Sequence, residues 1–398
     1  MSQHTHRDPS RLRDRLVRVL NHYYPDCIDT RFGGYVAQLD ERDGHVYDGL
    51  TKHLVATCRA IHNFSVGIKR DGPTYCRATA EHGLHFLRHV HWDETHEGYN
   101  WILAGREPRE RTRYCYGHAF AVLAAATAVD VGLPSARKEL ERATSVLDDR
   151  FYEPAHGLYA DVADPEWEEL GAYRGQNANM HACEAMLAAY EATGEKQYLN
   201  RAAEIADALV CENTDNGCLW EHFDETWTPD YEYNWKDPDH QFRPWGYQPG
   251  HHVEWTKLLL HLHDHRPQDW LVETATDLFE TAVETGWDDE YGGFYYTVDR
   301  EDEPVSSDKY GWAVAEGIGA AARLAVHDRS YLDWYDRLWT YADRVLVNPR
   351  NGNWYESVSR EGELPDQTHD VAVEPGYHPI SNICTAIDVF EANPGLLE

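Results

Sequence analysis

The sequence predicts an all-α fold, an (α/α)6 barrel in which twelve helices form two concentric rings and short β-hairpin loops cover one mouth. Three observations predict it. A turn of acidic or amide residues, then Gly, then an aromatic-rich extended stretch recurs six times, at a spacing of about 60 residues, a period that marks repeat architectures. Between successive copies lie two stretches with helical apolar periodicity. Alternate helices differ in character, one kind rich in Ala and Gly and apolar nearly all round, the other charged along one face.

The copies begin at Asp29-Thr-Arg-Phe-Gly-Gly-Tyr, Asp93-Glu-Thr-His-Glu-Gly-Tyr, Glu153-Pro-Ala-His-Gly-Leu-Tyr, Asn213-Thr-Asp-Asn-Gly-Cys-Leu, Asp288-Asp-Glu-Tyr-Gly-Gly-Phe and Asn348-Pro-Arg-Asn-Gly-Asn-Trp. Helix 8–24 precedes the first. Helices 51–69 and 73–89 follow it, 114–131 and 134–151 follow the second, and 176–194 and 196–211 follow the third. Helices 249–264 and 268–286 follow the fourth, after a stretched connection near Trp227 to Tyr247. Helices 308–327 and 329–347 follow the fifth, and 377–393 follows the sixth.

The members starting near 51, 114, 176, 249, 308 and 377 are the apolar kind, as in Ala119-Phe-Ala-Val-Leu-Ala-Ala-Ala and Glu316-Gly-Ile-Gly-Ala-Ala-Ala. Helices without a polar face are packed on both sides, so these form the inner ring. Partners such as 134–151 and 268–286 carry Glu, Asp and Arg on one face and form the outer ring. The aromatic stretch after each outer helix, for example Gly292-Gly-Phe-Tyr-Tyr-Thr-Val, alternates like a short strand and predicts hairpins at one mouth. A cleft lined by Trp and Tyr suits the faces of sugars. The barrel closes only when the last helix pair meets the first, which predicts one domain over 1–398 with no linker.

The chain carries 69 acidic against 36 basic side chains, a formal net charge of −33, with 42% hydrophobic residues, 14 Trp and 25 Tyr. That apolar content is enough for a large core and rules out a disordered acidic chain. The 36 basic residues are 7 Lys and 29 Arg, a lysine-poor, acid-rich balance that suggests a halophilic source. Nucleic acids and anionic membranes demand basic patches, and no run of Lys and Arg is present. Met1 to Leu16 lacks the apolar stretch of a signal peptide, and the longest apolar run, Ala119 to Val129, is too short to span a bilayer. A soluble, cytoplasmic protein is expected, working as a monomer or homodimer. The eight cysteines (Cys27, Cys58, Cys76, Cys115, Cys183, Cys211, Cys218 and Cys384) form no C-x-x-C pair, and buried reduced thiols are expected rather than disulfides or zinc ligands.

Three inner helices begin with histidines near one mouth: His181 in Asn177-Ala-Asn-Met-His, His251 in Gln248-Pro-Gly-His-His-Val-Glu-Trp, and His378 in Glu374-Pro-Gly-Tyr-His-Pro. Pro249 suits a helix start, and His251 and Glu254 then share a helical face, so the carboxylate is placed to orient the imidazole or to bind a sugar hydroxyl. A helix N-terminus disfavours imidazolium and leaves a neutral base. His378, before Pro379, is expected at the same mouth from the other side of the seam, so two bases flank one ligand. Histidine titrates near 6.5, which suits proton transfer alpha to a sugar carbonyl. Internal alignment of Pro249-Gly-His-His with Pro375-Gly-Tyr-His also brings His252 into consideration. A metal site of His251, His252 and Glu254 is disfavoured because adjacent helical histidines point to different faces, so neither metal nor cofactor is expected. No G-x-G-x-x-G after a strand, Walker loop or G-x-S-x-G elbow occurs.

With these residues in place the chain resembles the N-acylglucosamine 2-epimerase family, which includes cellobiose 2-epimerases and bacterial aldose-ketose isomerases. The likeness covers essentially the whole chain and rests on Thr51-Lys-His-Leu-Val-Ala-Thr-Cys-Arg59, Tyr116-Gly-His118, Asn177-Ala-Asn-Met-His181, Gln248-Pro-Gly-His251-His-Val-Glu254-Trp, Trp312-Ala-Val-Ala-Glu316 and Gly376-Tyr-His378. The resemblance implies a metal-independent reaction in which His251 and His378 act as acid and base on a ring-opened sugar through an enediol. His181 would assist ring opening or position a hydroxyl, Arg59 would stabilise the enediolate oxygen, and Asn177, Glu254 and Glu316 would hold hydroxyls. Tyr114 and Trp312 are expected as wall and His118 as a further binding residue. The alternative for Arg59 is an ion pair with Glu254 or Glu316 that serves burial alone. The run Glu254-Trp-Thr-Lys is closest to the mannose isomerase branch, which implies conversion of mannose to fructose, with 2-epimerisation as the rival. More distant readings are a glycosidase or lyase using carboxylates of Asp224 to Asp239, and a sugar-binding barrel without turnover.

Overall fold

The computed structural model describes residues 6–215, 217–238, 240, 243–365 and 371–397; Asn216 of the fourth turn, Asp239 and the two extremes of the expected domain over 1–398 lie outside the described residues. Twelve α-helices are present among the described residues: α1 Pro9–Tyr23, α2 Leu54–Lys69, α3 Tyr75–Phe86, α4 Cys115–Asp130, α5 Ala136–Val146, α6 Gln176–Thr193, α7 Lys196–Ile205, α8 Pro249–His265, α9 Asp269–Gly286, α10 Gly311–Leu324, α11 Tyr331–Tyr341 and α12 Tyr377–Ala392. The even-numbered helices pack each on the next, α12 packs back on α2, and the odd-numbered helices lie outside them. This is the (α/α)6 barrel.

The two rings follow from patterning. In α4 the run Ala119 to Ala126 is buried on every side. In α5 the buried residues Ala136, Leu140, Ala143 and Val146 recur at helical spacing while Arg137, Lys138 and Glu141 face water. Four outer helices, α3, α5, α7 and α11, run on into a wider π-helical turn. Each closes with an N–H bonded to the carbonyl five residues back: Trp92 to Leu87, Tyr152 to Leu147, Glu212 to Asp207 and Val347 to Ala342.

Directly after the outer helices come the six repeat turns. Their flanks pair antiparallel at Ile28 with Tyr35, Trp92 with Tyr99, Tyr152 with Tyr159, Thr214 with Leu219, Trp287 with Phe294 and Val347 with Trp354. The leading side chain organises the turn; Asp29 Oδ1 accepts the N–H groups of Arg31 at 2.7 Å and Phe32 at 3.0 Å. At Gly34 the backbone is left-handed (φ 69°), and a Cβ would lie 2.6 Å from the Phe86 ring, so both conformation and space call for glycine.

A second layer of pairing joins neighbouring repeats. The strand just before an inner helix pairs with the chain beyond the next turn: Thr51–His53 with Ile102–Ala104, Arg113–Tyr114 with Val162–Ala163, Arg174–Gly175 with Cys218-containing repeat residues His222–Phe223, Tyr247 with Val298, and Lys309–Tyr310 with Ser357–Val358. These strands explain why the helices expected from 51 and 308 begin at Leu54 and Gly311. Within four repeats the turn carboxylate is joined to a cation ahead of the inner helix: Asp29 to Lys52 at 2.5 Å, Asp93 to Arg113 at 2.7 Å, Glu153 to Arg174 at 2.7 Å and Asp288 to Lys309 at 3.1 Å. Removing one partner of such a pair leaves a buried charge uncompensated.

One apolar core cluster runs from Leu12 of α1 to Phe390 of α12. Six cysteines are buried, but Cys218 is half-buried and Cys211, at the polar end of α7's extension, is exposed; all eight are free thiols. Among the described residues no helix is long and apolar enough to cross a membrane.

Candidate active site

All six inner helices contribute to a cavity at the hairpin-covered mouth. Arg59 comes from α2, Tyr116 from α4, Asn177 and His181 from α6, His251 and Glu254 from α8, Trp312 from α10 and His378 from α12. Gln248, Glu41, Tyr296, Trp354, Tyr355, Glu356 and Glu374 from the connecting segments complete the wall.

The two principal histidines are held alike. His378 Nδ1 lies 2.7 Å from Glu316 Oε1, and His251 Nδ1 lies 2.8 Å from Glu221 Oε2. Although burial opposes it, Lys257 and His378 keep the Glu316 carboxyl below the usual range, and His251 does so for Glu221. An ionised carboxylate only accepts, so each Nδ1 carries the proton and each Nε2 presents a lone pair. Trp255 donates to Gln176 Oε1 at 2.7 Å, which sets the Gln176 amide nitrogen 2.8 Å from Glu221 Oε2 and 2.7 Å from His251 Nδ1, so the amide shares the Glu221 carboxylate with the imidazole. The Trp312 ring packs near both imidazoles, its centroid 5.2 Å from His251 and 5.7 Å from His378.

Arg59 links the cavity floor. Its Nη1 donates to Glu374 Oε2 at 2.9 Å and its Nη2 to the Tyr116 hydroxyl at 3.0 Å, with His378 Nε2 3.3 Å away. Guanidinium is always protonated, so it donates to that Nε2 lone pair. The Phe120 and Tyr377 rings lie against it at 4.5 and 4.9 Å. The ion pair is therefore with Glu374, not with Glu254 or Glu316.

Three acid side chains, Glu184, Glu254 and Glu316, cluster near His181 and His378. His181 Nδ1 is 3.0 Å from Glu184 Oε2, and burial, against the pull of Glu184, drops the His181 pKa to about 4. Lys257 bonds Glu316 Oε2 and lies beside Glu184, whose carboxyl is held low by His181 and Lys257 despite its burial. Glu254 is the odd one out: burial and the neighbouring Glu316 charge push its pKa well above the carboxylate range, and neither of its oxygens bonds another protein group. A neutral carboxyl facing the cavity is both donor and acceptor, as is suited to a hydroxyl. Asn177 Oδ1 is likewise buried without a protein partner. Ligand-type atoms of His181, Glu184 and Glu254, and of Glu254, Glu316 and His378, approach one another within 4.8 Å. The Lys257 ammonium already supplies the positive charge between them.

Several sequence expectations are redistributed. His251 is oriented by Glu221, not by Glu254. Glu316 lies behind His378, off the cavity wall, where Asn382 Nδ2 also donates to it at 2.7 Å. His118 is fully buried away from the cavity; its Nδ1 bonds the Tyr114 carbonyl at 2.7 Å and its Nε2 accepts the Tyr99 N–H at 3.2 Å. His252 does the same for the fourth repeat, accepting the Leu219 N–H at 3.2 Å. Both are hairpin anchors. Tyr114 is outside the cavity, packed on Trp101 with centroids 4.5 Å apart. None of the described residues of the acidic stretch Asp224 to Asp239 lines the cavity; Asp224 spends its Oδ1 on the Thr226 and Thr228 N–H groups. Glu221, Gln176, Glu184, Lys257 and Glu374 were not foreseen. Glu184 follows His181 by one helical turn, a signal open to the same spacing rule that singled out Glu254.

Comparison with known proteins gives a consistent picture. Residues 33–381 match the model of the N-acylglucosamine 2-epimerase family. A D-mannose isomerase of Marinomonas mediterranea is 36% identical over 92% of this chain and 94% of its own length. One from Thermobifida fusca is 37% identical over 77% of each. A crystal structure of a D-mannose isomerase superposes with a TM-score of 0.93 at 34% identity, covering 96% of this chain and 98% of that one.

Proposed function

The chain belongs to the N-acylglucosamine 2-epimerase family, carbohydrate isomerases and epimerases acting on small sugars, and we propose that it interconverts D-mannose and its ketose, fructose, by histidine acid–base transfer. The observation that carries this reading is the matched pair of carboxylate-held imidazoles, Glu316–His378 and Glu221–His251, lining one cavity together with Trp312.

In the open-chain aldose one Nε2 takes the C2 proton. The C2–H electron pair forms the C1=C2 bond as the carbonyl pair moves to O1, giving a cis-enediolate; the O2 proton passes to O1, the C2=O bond forms, and the imidazole returns its proton to C1. Arg59, beside His378 Nε2, meets the oxygen on which negative charge develops, and donors placed for that charge supply the largest share of many rate enhancements. Neutral His181 serves the ring-opening proton or a hydroxyl, and Asn177 and protonated Glu254 bind hydroxyls. Trp312 and the Trp354 and Tyr355 side chains form the wall. An uncharged sugar suits the cavity better than a phosphorylated one, since Arg59, the one Lys or Arg among its described lining residues, is already paired with Glu374.

The test is NMR of the purified protein with mannose in D2O containing EDTA, with His378→Ala as control. Fructose carrying deuterium at C1, absent in the variant, is the expected result. Glucose as the early product would transfer the assignment to 2-epimerisation, and no change in any simple hexose would overturn the mannose reading.

A further inference from the structure

At the opposite end of the barrel from the sugar cavity, three side chains converge that the proposed reaction does not use. His261 and His265 stand one turn apart on the last turns of α8, and Glu191 stands on the last turn of α6, the neighbouring inner helix. Both imidazoles aim the same atom at the same target: His261 Nε2 is 2.7 Å and His265 Nε2 3.1 Å from Glu191 Oε1. The three side chains are half-exposed, at 21%, 26% and 39%. Tyr190 packs edge-on against His265 with centroids 5.2 Å apart, which restricts that ring.

We propose that Glu191, His261 and His265 bind a divalent transition cation of the zinc class, bridging α6 and α8. Two imidazole nitrogens and one carboxylate oxygen form the N/O set that zinc, nickel and copper favour, whereas magnesium and calcium require a shell of oxygens. The paired helical histidines form a ready chelate: the cation takes the place of the Nε2 protons that now face Glu191, and each neutral imidazole ligand keeps its single proton on Nδ1. Access is open, because Glu191 and His261 also line a cleft at this mouth. His261 is ten residues beyond His251, about 15 Å along the helix axis, too far to act on the sugar. The cation's effect is to cross-link the ends of the two helices whose other ends carry Asn177, His181, His251 and Glu254. The inference is independent of the substrate assigned above.

Zinc titration by calorimetry, together with thermal unfolding, tests it on the full chain and on His265→Ala, His261→Ala and Glu191→Gln. The wild type is expected to bind one zinc equivalent more than either histidine variant and to gain several degrees in Tm with ZnCl2, a gain the histidine variants lose and Glu191→Gln reduces. Sugar turnover without added zinc stays at the wild-type level in His265→Ala, which separates this site from the catalytic histidines. Equal zinc stoichiometry in the wild type and both histidine variants, or an equal Tm change in all four proteins, would overturn the proposal.

Discussion

Glu316 divides its two oxygens between opposite partners: Oε1 accepts from His378 Nδ1 at 2.7 Å, and Oε2 is held by the Lys257 ammonium. Lys257 thereby keeps Glu316 ionised, and Glu316 fixes the tautomer of His378. The like charge of Glu316 in turn helps to keep Glu254 protonated. The Lys257 charge itself pulls the Glu254 pKa down, and burial together with Glu316 outweighs it.

Glu316→Gln is accordingly expected to lower kcat by about 10²-fold or more while leaving KM near its original value, because the amide no longer enforces a bare Nε2 on His378. Steady-state kinetics of ketose formation check this. An unchanged kcat would remove Glu316 from the mechanism.

His251 and His252 are adjacent but serve different purposes. His251→Ala is expected to abolish turnover with little change in Tm, whereas His252→Ala, which frees the Leu219 N–H, should lower stability by about 1–3 kcal/mol and spare kcat per folded molecule. Kinetics and urea unfolding on both variants distinguish the assignments, and the opposite pattern would exchange them.

Arg59→Lys keeps the charge but loses the fork that reaches Glu374, Tyr116 and His378 together. A fall of about 10²–10³ in kcat is expected, the range found when a donor to a developing oxyanion is lost. A change confined to KM would point instead to ground-state binding.

Six buried histidines, His53 and His118 at about 3 and His62, His91, His181 and His252 at about 4, have pKa values lowered first by burial. Unfolded, they titrate near 6.5, so the unfolded chain binds more protons between these values. Their contribution is complete above about pH 6.5 and is lost as pH falls toward 4, each on the order of 3 kcal/mol when fully lost. Urea midpoints should drop steeply from about pH 6.5 to 5, since a whole fold is worth only about 5–15 kcal/mol. A level midpoint across that range would contradict the buried neutral state.

The net charge of −33 opposes compaction at low ionic strength. Screening shortens from about 10 Å at 0.1 M salt to about 3 Å at 1 M, so Tm is expected to rise with NaCl. A Tm independent of salt would mean that the acid excess is balanced locally by the surface ion pairs.

The fold was legible because its signals are local and repeated. An all-round apolar helix such as α4 has one place in a two-ring barrel, and the six turns mark the period. Part of the site was legible for the same reason: Arg59, Asn177, His181, His251, Glu254, Trp312 and His378 lie at the mouth end of inner helices and reach one cavity. What failed was rotation about the helix axis. His118 and His252 occupy the fourth position of their helices and turn toward a hairpin, and His251, one residue earlier, turns inward. Nothing in a single helix states where the barrel axis is. Glu221 was hidden differently, since it arrives on the bend between strands Cys218–Leu219 and His222–Phe223 and meets His251 across 30 residues with no periodic signature. The π turns lay inside the predicted helices 134–151, 196–211 and 329–347, because hydrogen-bond pitch leaves little mark on apolar spacing.

The cross-repeat strand pairs and the packing of α1 on α12 make the architecture a hoop whose starting point is a matter of gene order. Joining the two ends and reopening the chain at Asp130 to Leu133, where α4 hands over to α5 away from the roofing hairpins, leaves every inter-repeat strand pair intact. Reopening it between Arg113 and Cys115 severs a roof strand from the helix it leads into. Circular permutants of the first kind should assemble the sugar cavity from a rearranged order of units, and those of the second kind should not.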